Sequence, residues 1–455
     1  MSCGTRASVE GLKRGVKRDM YAALPRVRFD LTELEMAEKK TSVCVIGGGP
    51  AGLSAAYTLS QNDIDTVVLE MGTQVGGISR TIERNGFRFD LGGHRFFTKD
   101  TEVEDLFREV LGDEIIWVDR SSKIYYHNKY FDYPLKPANA LLGMGLGTTA
   151  RCIFDYGLVK TRGLYRKPEI ISLEDWVTNE FGGELFRQFF KDYTEKVWGI
   201  DCNRIAAEWA AQRIKGLSLR VAIKDSIFPS KNGKVKTLID KFMYPRLGIG
   251  RISENLAERL EGMGNEVRMR QKAVAVNHQG GRVTSVDVED GEGGYSLEVE
   301  ELVSSMPLTR LVNAMRPPAP DDVLEAADLL RYRDLVTVNL IVDKPQITDL
   351  TWIYIHDPAI ALGRIHEPRN WSPAMAPEGK SSLVTEYFCF EGGEIWEMDD
   401  QALIDLTIED LDQRLHFLRE QEVMDAFVVR IPKAYPMYEL GYEQRLKKVL
   451  DYVNR

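Results

Sequence analysis

The densest group of residues suited to binding chemistry lies near the start of the chain. Gly47-Gly48-Gly49-Pro50-Ala51-Gly52 follows the short apolar run Ser42-Val-Cys-Val-Ile46 and precedes the helical run Leu53 to Leu59. In that context Gly47 permits a tight turn, Gly49 lets backbone amides approach a pyrophosphate, and Gly52 lets the helix pack closely on the strand. The phosphates then lie at the positive end of the helix. A second apolar strand, Thr66-Val-Val-Leu69, ends in Glu70, whose carboxylate can accept both ribose hydroxyls and would repel a 2′-phosphate. The pattern predicts a dinucleotide site that favours FAD or NAD over NADP.

A second set of residues is suited to different work. Phe189-Phe-Lys-Asp-Tyr193-Thr-Glu-Lys-Val-Trp198 is followed by Trp209-Ala-Ala-Gln-Arg213. Tyrosine and tryptophan offer stacking faces to a base or a sugar, and arginine offers a bidentate fork to a diphosphate. The same residue types also make ordinary helix core and solvated surface, so their spacing alone leaves both readings open.

The residues after Glu70 separate the dinucleotides. Gly76-Gly77 and Arg80 come next, then a strand Phe87-Arg-Phe-Asp90 and Gly92-Gly93-His94. Here the chain resembles the FAD-binding superfamily that includes amine oxidases, protoporphyrinogen oxidase and UDP-galactopyranose mutase, in which a second glycine pair follows the ribose acid. The resemblance implies FAD, an α/β fold with a Rossmann-like domain of the GR2 type, a helical insert and a mixed-sheet substrate domain. The substrate segments most resemble those of the mutases. Gly92-Gly93-His94 matches their loop against the flavin, and Trp198 and Arg213 match their Lys-Val-Trp and Trp-x-x-x-Arg elements. Downstream, Trp352-Ile-Tyr354, Arg364, Trp371 and Ala-Tyr435-Pro continue the match, except that the family has tyrosine where this chain has Trp371.

Carried onto these positions, the resemblance implies that Arg213 and Arg364 hold a diphosphate and that His94 meets the flavin edge. Tyr193, Trp198, Tyr354, Trp371 and Tyr435 would line the substrate site. The implied reaction interconverts the pyranose and furanose forms of a nucleotide-diphosphate sugar through a flavin N5–sugar adduct on reduced FAD, with NADH or NADPH as electron donor. The alternative is an FAD-dependent oxidoreductase of the amine oxidase or desaturase type, acting on an amine, a polyene or a porphyrinogen. A third reading is nucleotide or partner binding without turnover. The family's closing segment, Gly-Arg-x-Gly, Arg-Tyr and then an Asn-Gln-Asp-His run, has no counterpart before Arg455. From that the expectation is a truncated, catalytically weak homologue that binds FAD poorly.

The elements that must position these residues follow from periodicity. Helical spacing is expected over Glu102 to Leu111, Leu173 to Trp198 and Gln444 to Val453, and a hairpin over Lys123 to Tyr133 with its turn at Asn128-Lys129. Strands are expected at Val267 to Arg270, Ala273 to Val276, Arg282 to Val288 and Ser296 to Val299. Glu301 to Met306 returns to the nucleotide sheet, and Leu335 to Val342, Thr351 to Ile355 and Ser382 to Phe390 build a second one. This divides the chain into a leader (1–40), a first FAD-binding segment (41–100), a largely helical insert (101–240), a second FAD-binding segment (241–310), a mixed-sheet domain (311–430) and a closing segment (431–455).

The 455 residues suffice for two or three such units. A net charge of −10 argues against a protein that wraps nucleic acid, while leaving room for a local basic channel. Five dispersed cysteines without a CxxC pair point to a reducing cytoplasm, and no two histidines share metal-ligand spacing, so no metal site is expected. Pro137 to Val159 is the most lipid-like stretch, but Arg151 and Asp155 near its middle exclude a simple spanning helix and leave a surface-lying segment. The expected partner is a nucleotide-sugar or another small molecule.

Overall fold

The computed structural model describes residues 43–133, 145–165, 168–209, 241–291 and 293–454. The expected leader and Arg213 lie outside them.

The expected nucleotide unit forms as a four-stranded parallel sheet, in the order Glu301–Ser304, Val43–Ile46, Thr66–Glu70 and Glu266–Met269. Its two central strands, Val43–Ile46 and Thr66–Glu70, are nearly continuous apolar runs because both faces are covered, while the edge strands carry Glu266, Arg268 and Glu301. The helices Pro50–Ser60 and Arg251–Gly262 pack together on one side. On the other, Cys44, Ile46 and Leu69 meet Val276, Val286 and Val288 of a second sheet, ordered Gly294–Glu298, Arg282–Glu289, Lys272–Gln279 and Met315–Arg316.

The substrate side is built on a seven-stranded sheet. Its order is Val423–Pro436, Tyr332–Val342, Ser381–Cys389, Arg364–His366, Trp352–Ile355, Ser122–Tyr126 and Lys129–Asp132. All pairings are antiparallel except that of Trp352–Ile355 with Ser122–Tyr126. Alternation along the strands separates two faces. Val336, Val338, Ile353, Ile355, Ile365 and Tyr387 belong to an apolar core that includes Leu403 and Ile404 of the helix Asp400–Glu409. The register sets Tyr354 opposite Arg364, Arg364 opposite Glu386 and Glu386 opposite Thr337, so these four form one row across the other face.

Three local expectations change. The hairpin turns at His127-Asn128, one residue earlier than expected, because both take positive φ (48° and 57°) and Tyr126 pairs with Lys129. The hairpin also joins the mixed sheet, where the insert was expected to be largely helical. The helical run Leu173 to Trp198 is broken at Gly182, whose φ is 90° and where a Cβ would lie 2.9 Å from the Asp155 carboxylate. It continues as a short turn Gly183–Leu185, a π-helical segment Phe186–Lys191 and the helix Asp192–Trp198.

Asp90 ties the strand Phe87–Asp90 to Thr81 and to the segment that carries Tyr244 and Ile249. Buried, it accepts from Tyr244 Oη (2.5 Å), Thr81 Oγ1 (2.6 Å) and the Ile249 amide (3.1 Å). Burial raises its pKa to about 6 despite these donors.

Candidate functional site

The first strand, the glycine loop and the first helix make a cradle whose shape is set by which glycines have room. A Cβ at Gly47 would lie 2.3 Å from Ser305 Oγ, and one at Gly52 would lie 2.0 Å from the Gly47 carbonyl oxygen. At Gly49 it would meet no atom within 4 Å. The chain is therefore tight where strand and helix touch and open at the helix N-terminus, where Gly49 caps without a side-chain acceptor and Pro50 begins the helix. Glu70 lies at the end of its strand, oriented by the amides of Gly48 (2.8 Å to Oε2) and Gly72 (2.7 Å to Oε1). Gly76 closes the cradle by donating to the Gly48 carbonyl at 2.8 Å, and Arg80 Nη1 donates to the Gly77 carbonyl at 2.9 Å. Burial lowers the Arg80 pKa, with Glu70 acting against the shift. Free space beside an uncapped helix N-terminus and a fixed acid at the second strand fit a dinucleotide pyrophosphate and ribose.

From the cradle, the hairpin Thr81–Arg84 and Phe87–Asp90 runs into the loop Leu91-Gly92-Gly93-His94. Gly92 takes φ 120°, and the Gly93 amide donates to Glu386 Oε1 at 3.2 Å. Glu386 is 1% exposed and also forms an ion pair with Arg364 Nη2. That nitrogen donates to Tyr435 Oη at 2.7 Å. Burial works against the Arg364 charge, but Glu386, Tyr435, Tyr193 and Tyr354 more than offset it, and the guanidinium stays firmly protonated.

Two histidines flank this pair. Burial, then Arg364, lowers the His94 pKa to about 4 and the His366 pKa to about 3, so both rings are neutral at pH 7. Their Nδ1 atoms and Arg364 Nε are buried without a hydrogen-bond partner. These atoms leave hydrogen-bonding capacity unused beside the pair.

Aromatic rings complete the walls. Tyr193 stacks on His356 (4.2 Å, 6°) and meets Tyr354 edge-on at 5.8 Å, while Tyr133 lies 4.6 Å from Tyr354. The helix bearing Tyr193 is fixed at its C-terminal end by two cations. Lys196 Nζ donates to the carbonyls of Ile355, Asp357 and Ile360 at 2.7–2.8 Å, and buried Arg333 donates to those of Val197 and Phe388 at 3.0 and 2.8 Å. Burial lowers the Lys196 pKa to about 8 and that of Arg333 to about 10.

Of the expected site residues, the structure brings together Gly92, Gly93, His94, Arg364, Tyr193, Tyr354 and Tyr435. Trp371 stands behind the glycine loop: its ring would lie 3.7 Å from a Cβ at Gly93, and its indole nitrogen donates to the Thr351 carbonyl at 2.7 Å. Trp198 is placed elsewhere, in a core with Leu173, Val177 and Phe181 and edge-on to Trp209. Periodicity missed Glu386, His366 and Lys196. Glu386 did leave a signal, as the only charged residue in the apolar run Ser381–Cys389.

The cradle and the row behind His94 agree with the relationships that sequence comparison finds. The family described as flavin containing amine oxidoreductase matches residues 50–430. The chain belongs to that family. It is a flavin-dependent enzyme with the α/β FAD-binding fold of the amine oxidase superfamily. The chain is 22% identical to coproporphyrinogen III oxidase of Staphylococcus aureus, over 91% of this chain and 92% of that one. It is 21% identical to the chloroplastic protoporphyrinogen oxidase of Nicotiana tabacum, over 90% and 78%. Among solved structures, reduced UDP-galactopyranose mutase superposes with a TM-score of 0.75 at 21% identity, covering 90% of this chain and 86% of that one. A putative protoporphyrinogen oxidase from Exiguobacterium gives 0.70 at 19%, covering 92% of each. The resemblance to the mutases therefore holds at the level of fold, while these two sequence relatives are porphyrinogen oxidases.

Proposed function

We propose that this flavoenzyme oxidises a bulky conjugatable substrate of the porphyrinogen class. The observation that carries the reading is the buried pairing of Arg364 with Glu386. A leaving nucleotide diphosphate needs uncompensated positive charge, and in this row Arg364 is already balanced by a carboxylate, which leaves exposed Arg95, over the Trp352 ring, as a separate cation outside the row. An oxidase has the opposite need. As hydride leaves a substrate carbon, positive charge grows on the substrate, and a free arginine beside it would raise the barrier.

FAD, held by Gly47, Gly49, Gly52, Glu70, Gly76, Gly77 and Arg80, supplies the two-electron acceptor. The chain's own residues do the rest. Tyr193, Tyr354 and Tyr133 present ring faces and edges that bind a bulky macrocycle of pyrrole rings and tolerate cationic character growing on it. His94, neutral at pH 7, offers Nδ1 to a substrate N–H group without adding charge, while His366 Nδ1 lies 3.8 Å from buried Glu386 Oε1. Glu386 holds the Gly93 amide and Arg364 together, fixing the glycine loop relative to the row of strand residues.

The mutase reading is kept as the second one, because three tyrosines surround Arg364 and the mutase superposition extends over 90% of the chain. One comparison separates the two. FAD-loaded protein in air is expected to convert coproporphyrinogen III or protoporphyrinogen to the fluorescent porphyrin with release of hydrogen peroxide. Failure with every porphyrinogen, together with interconversion of UDP-galactopyranose and UDP-galactofuranose by dithionite-reduced protein, would overturn the proposal in favour of the mutase.

A further inference from the structure

Lysine side chains usually run outward and keep their ammonium in water. Lys196 does the reverse. Besides its bonds to the carbonyls of Ile355, Asp357 and Ile360 at 2.7–2.8 Å, Nζ lies 3.4 Å from that of Leu362. Three short acceptors use all three N–H donors of an ammonium, whereas a neutral amine has two and would turn a lone pair towards a carbonyl. Burial opposes the charge, while Asp357, Asp192 and Asp410 act to keep it, and Asp410 itself pairs with Arg414.

The four carbonyls belong to one short piece of chain, residues 355–362, which joins the strand Trp352–Ile355 to the strand Arg364–His366. Tyr354 stands immediately before the first carbonyl, and Arg364 follows closely after the last. His356, on which the Tyr193 ring stacks, lies between the first two. On the helix Asp192–Trp198, Tyr193 and Lys196 are spaced to share a face, and both meet this loop. One ammonium therefore joins the backbones that carry Tyr193, Tyr354 and Arg364, across a separation of 159 residues between Lys196 and Ile355. The loop has two other ties: the His356 amide donates to the Tyr125 carbonyl at 2.9 Å, and Arg414 donates to the Ala359 carbonyl at 2.8 Å. Neither bond reaches the helix that carries Tyr193.

We propose that Lys196 is a positioning residue of the substrate site: its ammonium fills a cage of backbone carbonyls and thereby holds Tyr193 against the part of the sheet that bears Tyr354 and Arg364. The proposal rests on the reading that substrate meets these three side chains, and not on which substrate it is.

The test uses FAD-loaded full-length protein carrying Lys196→Ala, which leaves room for n-propylammonium, assayed well below the variant's own melting temperature. kcat/KM for coproporphyrinogen III is expected to fall about 100-fold, the cost of a displacement of roughly 1 Å. Added n-propylammonium chloride should recover most of the loss and saturate. Tetramethylammonium chloride at the same concentration should not, because it carries the charge without N–H donors. The flavin band should persist, since none of these carbonyls belongs to the cradle. Hydrogen–deuterium exchange over residues 355–363, read without substrate, should quicken in the variant and slow again with n-propylammonium. If Lys196→Ala does not fold, Lys196→Gln, which keeps two donors, carries the same comparison with a smaller loss. Unchanged kcat/KM, unchanged exchange, or equal recovery by both salts would overturn the proposal. A wild-type protein that oxidises no porphyrinogen would count against the substrate class alone; kcat/KM is then read on UDP-galactopyranose with reduced protein, beside the same exchange measurement.

Discussion

Arg364 and Glu386 meet across two antiparallel strands in a setting with little water, so each depends on the other's charge. Removing one partner leaves the other charge buried, which costs about 3–5 kcal/mol, whereas replacing both by apolar residues of similar size costs much less. Glu386→Ala is therefore expected to lower the urea-unfolding free energy by about 3–5 kcal/mol. The double variant Arg364→Met with Glu386→Leu should recover most of that loss, and additive losses would count against the pairing. The pair also shows why this part of the site was hard to read from sequence. Resemblance to the mutases marks Arg364 as a residue that would hold a diphosphate. Its counter-ion lies 22 residues further along the chain, and only the strand register shows that the two charges cancel.

At the scale of elements, the cradle and the π-helical segment make separable predictions. Gly49→Ala adds a methyl group where no protein atom lies within 4 Å, so the protein without flavin should keep its melting temperature while FAD affinity falls about tenfold or more. Gly52→Ala drives a methyl into the Gly47 carbonyl, so it should lower the melting temperature even without flavin. Equal effects of the two substitutions on flavin-free protein would contradict the assignment of open and closed sides. The π segment Phe186–Lys191 sets the rotation of the helix carrying Tyr193. Deleting exposed Arg187 should let the segment relax to an α-helix and turn Tyr193 away from Tyr354, lowering kcat/KM about 100-fold with the far-ultraviolet spectrum retained. An unchanged kcat/KM would remove Tyr193 from the site.

The strand, glycine loop, helix, strand and acid of the cradle were legible in the sequence because each is a local signal with a fixed offset, and Glu301–Ser304 was legible as their returning strand. Val423–Pro436 was not. Pro432 argues against a strand, and the structure accommodates it because this is an edge strand with a register irregularity opposite Arg333 and Leu335. The parallel pairing of Ser122–Tyr126 with Trp352–Ile355 joins segments more than 200 residues apart, and nothing local in either encodes the partner.

For the molecule as a whole, buried titratable groups set the response to acid. Burial, reinforced by Arg364 for His94 and His366 and by Lys196 for His356, lowers these pKa values to about 4, about 3 and about 3. The folded protein keeps all three neutral below the ordinary value of 6.5 while the unfolded chain takes up protons, so stability is lost as pH falls through that window. Asp90 acts in the opposite sense: burial raises its pKa to about 6, so protonation between pH 6 and 3.8 favours the folded state. Burial raises the Asp410 pKa in the same direction, so three groups against two predict a melting temperature that falls from pH 7 to pH 5, and more steeply in Asp90→Asn. A flat or rising profile would show that these histidines are not held neutral.

In the proposed reaction a substrate seated among Tyr193, Tyr354 and the balanced Arg364–Glu386 pair would give up electrons to bound FAD. The most direct test of this is an anaerobic reaction of FAD-loaded protein mixed rapidly with coproporphyrinogen III. Loss of the oxidised-flavin band is expected as each flavin takes two of the six electrons the porphyrinogen must lose, with porphyrin fluorescence appearing only when flavin is in at least about threefold excess over substrate. A flavin that stays oxidised, with no porphyrin formed, would contradict it.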